Sequence, residues 1–156
     1  MSNSIAIGVA YQDQDIIGGS LNNSPIGATT PSTIVGTTVY ATSEIGYSTA
    51  AQGSVTQAAT SGKATAVTLD KSAGQITMDN ATLNAATNVA FTLTNSTIGA
   101  KDVIIFNVAG GNATAGTYNV FTSTHTTGSA TVVLRNISAG PLSEAVVLNF
   151  AVIHAQ

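Results

Sequence analysis

From residue 64 onward the chain alternates apolar and polar residues with a period of two, which restricts it to β structure. In residues 89–95 (VAFTLTN), Val89, Phe91 and Leu93 fall on one side, with Ala90, Thr92 and Thr94 on the other. Successive side chains of an extended chain point to opposite faces, so one face is buried and the other is polar but uncharged. Residues 64–69 (ATAVTL) and 75–78 (QITM) flank the turn-rich DKSAG and predict a hairpin. Residues 102–108 (DVIIFNV) are almost continuously apolar, which predicts a strand covered on both faces. Residues 118–124 (YNVFTST) and 130–136 (ATVVLRN) pair across a short turn ending at Gly128, which places His125 in that turn. After the turn SAGPLSE, residues 145–153 (AVVLNFAVI) form the last and most apolar strand. The inward-facing residues are expected to be Val89, Phe91, Leu93, Ile105, Val133, Leu148 and Phe150. Residues 79–87 (DNATLNAAT) read as a loop across one end. Short strands between Gly, Asn and Thr turns predict an all-β fold, an antiparallel β-sandwich or barrel over residues 51–156.

Residues 1–50 obey a different logic. Residues 22–39 (NNSPIGATTPSTIVGTTV) hold Pro25 and Pro31 and no charge. Each proline removes a backbone donor and favours an extended conformation before it, so the stretch is neither helix nor central strand. Residues 5–11 (IAIGVAY) could form one strand, and 33–47 (TIVGTTVYATSEIGY) another broken by Gly36. Neither has a partner in its own third of the chain, and a lone strand is unstable in water. The expectation is an extended N-terminal arm that serves trimerisation and docking. Its interface residues are Ile5, Ile7, Val9, Tyr11, Ile26, Ile34, Val35 and Val39.

Composition narrows the partners. Charged residues make up 7% of the chain, against about 25% in ordinary soluble domains. Four Lys/Arg against seven Asp/Glu cannot form a cationic surface, which argues against nucleic acid. No apolar run is long enough for a membrane helix, and the first residues lack the basic and apolar regions of a signal peptide. With no cysteine, stability must come from burial or from other subunits.

Nothing in the sequence assembles a catalytic or metal-binding pattern. His125 and His154 lack metal-ligand spacing and read as exposed or interface residues. Asp13 and Asp15 resemble a fragment of a calcium loop without its glycine and distal glutamate. Arg135 and Glu144 flank the last turn and could pair across it as a structural contact. The loop GGNATAG precedes no predicted helix, so a phosphate cradle is unsupported. The Asn-x-Ser/Thr triplets at Asn22, Asn80, Asn95, Asn112 and Asn136 follow from an abundance of Asn and Thr. The chain is expected to be no enzyme and to hold no cofactor.

Residues 24–33 (SPIGATTPST) resemble a segment that recurs before trimeric β regions in fibre proteins of tailed bacteriophages. GSVTQAATSGKATAVTLDKSAGQITM, FTLTNSTI and LSEAVVLNFAVIHA are similar to small phage structural proteins that decorate capsids or fibres, and MSNSIAIGVAYQDQD looks like the start of phage head-module proteins. The likeness covers most of the chain except roughly residues 34–50. It implies a homotrimeric capsid decoration (cement) protein on the outer surface of the virion, its arm lying on the major capsid protein. An arm of about 45 residues could reach on the order of 100 Å when extended. The alternative is a fibre or spike component whose β domain binds a host-surface receptor, with Tyr118 and His125 near its loops. The chain has no Trp, four Tyr and four Phe, poor material for stacking sugars.

Overall fold

The computed structural model describes residues 35, 36 and 38–155. Residues 1–42 form one unit and Ser43–Gln156 a second, compact one. Eight strands build the compact unit: β1 (Gln52–Thr56), β2 (Val67–Thr68), β3 (Ala73–Thr77), β4 (Asn88–Thr94), β5 (Val103–Gly110), β6 (Tyr118–Thr126), β7 (Ser129–Asn136) and β8 (Val147–Ile153). They form two four-stranded sheets, ordered β1-β3-β8-β5 and β2-β4-β7-β6, packed as a sandwich.

The core lies between the sheets. Ile76, Leu148, Phe150 and Val152 enter it from one sheet, and Phe91, Leu93, Val132 and Leu134 from the other. Phe106 and Phe150, with ring centroids 5.5 Å apart, extend it towards β5. The expected inward placement of Phe91, Leu93, Leu148 and Phe150 is what the structure has, with Val89 partly buried against them.

Several sequence expectations are corrected. β2 and β3 are no hairpin: they belong to different sheets. Val67 and Ile76 both need burial, and residues 69–72 carry the chain from one layer to the facing one, about 10 Å away. Because the chain leaves and re-enters each sheet this way, β1 and β3 run parallel, as do β2 and β4. The sheets are therefore mixed rather than antiparallel. β5 is covered on one face only, since it closes the end of a sheet with a single layer beneath it; Ile105 points outward and is 52% exposed. Val133 is buried, yet it lies on the outer face of its sheet. The register pairs Phe91 with Val132 and Val89 with Leu134, which sets Val133 beside Ala90 and Phe121 on the other face.

The described residues of 33–47 contain no strand. Ile45 and Tyr47 lie on the outer face of a sheet, where neighbours offer side chains instead of a free backbone ladder. The strand expected at 5–11, with Ile5, Ile7, Val9, Tyr11, Asp13 and Asp15, lies outside the described residues, as do Asn22, Ile26 and Ile34.

Turns are fixed by particular residues. β6 and β7 join through Thr127 and Gly128, and Gly128 takes the positive φ (+85°) at the second position of this tight turn, which a glycine adopts freely. A bulge at Ser123 shifts the phase of β6, so His125 lies in the strand opposite Ala130 rather than in a turn. Two of the Asn-x-Ser/Thr triplets prove structural. Asn95 and Asn136 are fully buried, and each side-chain oxygen accepts bonds from the amide and hydroxyl of the residue two positions on. The Asn95 amide donates to Lys71 O, and the Asn136 amide to Leu83 O and Gly140 O, binding neighbouring loops to the sheet ends.

Phe91→Ala and Phe150→Ala should each lower unfolding free energy by about 3–5 kcal/mol, as core Phe truncations do. Phe121→Ala, at an outward and 43% exposed position, should cost well under half of that. Urea melts of the three variants check the assignment of faces.

Candidate interaction surface

The outer face of the β1-β3-β8-β5 sheet is built from alternate residues of its strands, and none of the four strands contains Asp, Glu, Lys or Arg. The register arranges these side chains in rows. Gln52, Ala73, Ala151 and Ile105 make one row, and Ser54, Gln75, Asn149 and Asn107 the next. Beyond the first row, Val103 pairs with Ile153. One end of the face is therefore an apolar strip, and its middle is a belt of carboxamides in which Gln75 Nε2 donates to Asn149 Oδ1 at 3.0 Å.

Val103, Ile105 and Ile153 are 55%, 52% and 53% exposed. With Ile45, 79% exposed, they present apolar surface on the order of 400 Å², within the range of the largest patch on an ordinary monomer. Ile45, Gly46 and Tyr47 cross the face and, with Ala151, Ile153 and His154, line a groove of about 650 Å³. The Tyr47 hydroxyl donates to Val152 O, and Gln52 Nε2 donates to Tyr47 O, so the crossing is anchored at Tyr47.

A polar clamp sits at the same end. In the order β3-β8-β5, with β8 antiparallel to its neighbours, the start of β3, the end of β8 and the start of β5 come together. Ser72, His154 and Asp102 occupy those three points. His154 Nδ1 lies 2.8 Å from Asp102 Oδ2, and His154 Nε2 lies 3.3 Å from Ser72 Oγ. Asp102 is buried and also accepts from Gly99 N (2.7 Å) and Ala155 N (3.0 Å). Those two amides, then His154, hold its carboxyl down at about 2. The order of groups is that of a nucleophilic triad, but the carboxylate is spent on tying the residues after β8 to the loop before β5. Its chemistry is that of a latch.

The other candidate residues are dispersed. Val35 and Val39 are exposed, as is Tyr40 beside them. Glu144 does not pair with Arg135: its Oε1 accepts from Ala113 N at 2.6 Å, and Arg135 stands on the outer face of the other sheet. Tyr118 is buried in the core, where loss of solvent and then Glu144 push its hydroxyl up to about 12. Lys63 is buried too, its ammonium donating to Asp79 O and Glu144 O at 2.5 Å each. Burial lowers its pKa while Asp79 and Glu144 oppose the shift. His125 Nε2 is buried without a hydrogen-bond partner among the described residues.

Sequence reasoning missed the apolar strip because a continuous apolar run in a strand reads as burial. It missed the clamp because Ser72, Asp102 and His154 are joined only by strand order. Comparison of the chain with models of known protein families, with curated proteins and with solved structures finds no match.

Asp102 has a depressed folded-state pKa, so its contribution to stability is present above its ordinary value of 3.8 and lost as pH falls towards about 2. Asp102→Asn should melt below the parent at neutral pH, and the difference should close between about pH 4 and pH 2. Thermal melts of both proteins across that window check the clamp.

Proposed function

We propose that this chain is a structural protein of a bacteriophage particle: a homotrimeric decoration protein that docks through its N-terminal arm on the major capsid protein and stabilises the head. The observation that carries this reading is the uncharged outer face of the β1-β3-β8-β5 sheet, with its half-exposed Val103, Ile105 and Ile153. Such a face suits permanent contact with protein, since Thr, Ser and Asn surfaces lose less on desolvation than Lys or Glu would. The exposed Val35, Val39 and Tyr40 extend the same character into the residues before the sandwich. The likeness of 24–33 and of the later segments to phage structural proteins points to the kind of particle.

The receptor-binding alternative loses support. Tyr118, one of its two candidate loop residues, is buried in the core, and His125 faces inward from β6.

The arm is the docking element in this reading. Residues 5–11 would add as an edge strand to a capsid sheet, with Ile5, Ile7 and Val9 filling one row of apolar sites. Ile7→Pro removes a ladder donor and disturbs that register. Both Ile7→Pro and deletion of residues 2–20 should abolish binding to capsids assembled without the protein, while circular dichroism of the sandwich stays unchanged. Capsids left undecorated should disrupt at lower temperature, because many copies bound only to the intact shell stabilise it by mass action. Capsid binding retained after the deletion would sink the docking mechanism.

A further inference from the structure

We propose that the outer face of the β1-β3-β8-β5 sheet is where copies of this chain meet one another, with Val103, Ile105 and Ile153 at the centre of the contact. The inference rests on the trimer reading above and names the surface that would make it, which leaves the arm free for the capsid.

Charge selects the occupant. Where the same face of every copy lines the threefold axis, like groups come near like, so an unpaired charge there is repeated and repelled. This face has none, whereas the outer face of the opposite sheet carries Arg135. The nearest charges, the exposed Glu44 before Ile45 and Lys101 before Val103, flank the strip rather than stand in it. At the rim the Asp102 carboxylate is already engaged by two amides and His154.

The polar groups of the face are complementary to themselves. Gln75, Asn149 and Asn107 are carboxamides, each with donors and an acceptor, so the same row on another copy can satisfy them. A row of carboxylates or ammonium groups could not do this. The areas agree. A stable interface needs about 800 Å² from each partner. The apolar strip with Ile45 offers roughly half of that, and Tyr47 and the carboxamide belt are contiguous with it.

The test uses the full chain. The parent should sediment at about three times its 15.5 kDa chain mass. Ile105→Glu introduces a charge at an outward, half-exposed position, so the sandwich should keep its circular dichroism while association weakens by roughly 100-fold or more. The chain has no cysteine, so a single introduced thiol crosslinks only where the same position of two copies meets, as the centre of this contact would require. Val103→Cys should form interchain disulfides under mild oxidation, and Phe121→Cys, on the opposite sheet, should not. The thiol pair also decides the matter if Ile105→Glu fails to fold. A trimeric parent whose Ile105→Glu variant stays trimeric, without crosslinking at Val103→Cys, overturns this surface and leaves the trimer reading standing. A parent that is monomeric at every concentration overturns both.

Discussion

Everything in this molecule follows from the need of each sheet to bury one face. Ile76, Leu148, Phe150 and Val152 on one side and Phe91, Leu93, Val132 and Leu134 on the other exclude water together with Val67, Met78, Ile98 and Val146. The chain meets that need by crossing repeatedly between layers: β1, β3, β5 and β8 in one sheet, β2, β4, β6 and β7 in the other. The crossings make two strand pairs parallel, which no direct hairpin could do. They also put the polar work into the loops. Asn95, Asn136 and Lys63 are buried there because loop carbonyls between layers need donors that water cannot supply.

Strand positions were legible because period-two alternation is a local property. The stretches at 89–95, 118–124, 130–136 and 145–153 each contain or overlap an observed strand. Partners were legible only where a short turn leaves no choice, as at Gly128. Between β2 and β3 the turn signals are equally good, yet the link bridges two layers. Turn residues report that the chain changes direction and are silent on whether it returns to the same sheet.

The exposed apolar strip was illegible for a related reason. Hydrophobicity records that a side chain leaves water without recording what covers it. Ile104 and Ile105 are the same residue type in adjacent positions, one packed on the core and one half in solvent. A run apolar on both faces of a strand is the signature of a central strand in a thick protein, and equally of a strand that meets another molecule. Here the sandwich is two layers thick, so the outer face of β5 stays open to solvent. Val35 and Val39 are likewise apolar and exposed.

The clamp gives the strip its shape. Asp102 ties Gly99, His154 and Ala155 into one cluster, which fixes where β5 begins relative to where β8 ends. That register puts Val103 beside Ile153 and Ile105 beside Ala151. A carboxylate at the rim of an apolar contact would ordinarily oppose association, because it must lose water. Asp102 accepts backbone and imidazole donors within its own chain, which replace part of its lost solvation. A residue whose charge is consumed internally can stand beside a neutral interface without weakening it. The sequence spaces Ser72, Asp102 and His154 far apart, and their common role depends wholly on the order β3-β8-β5.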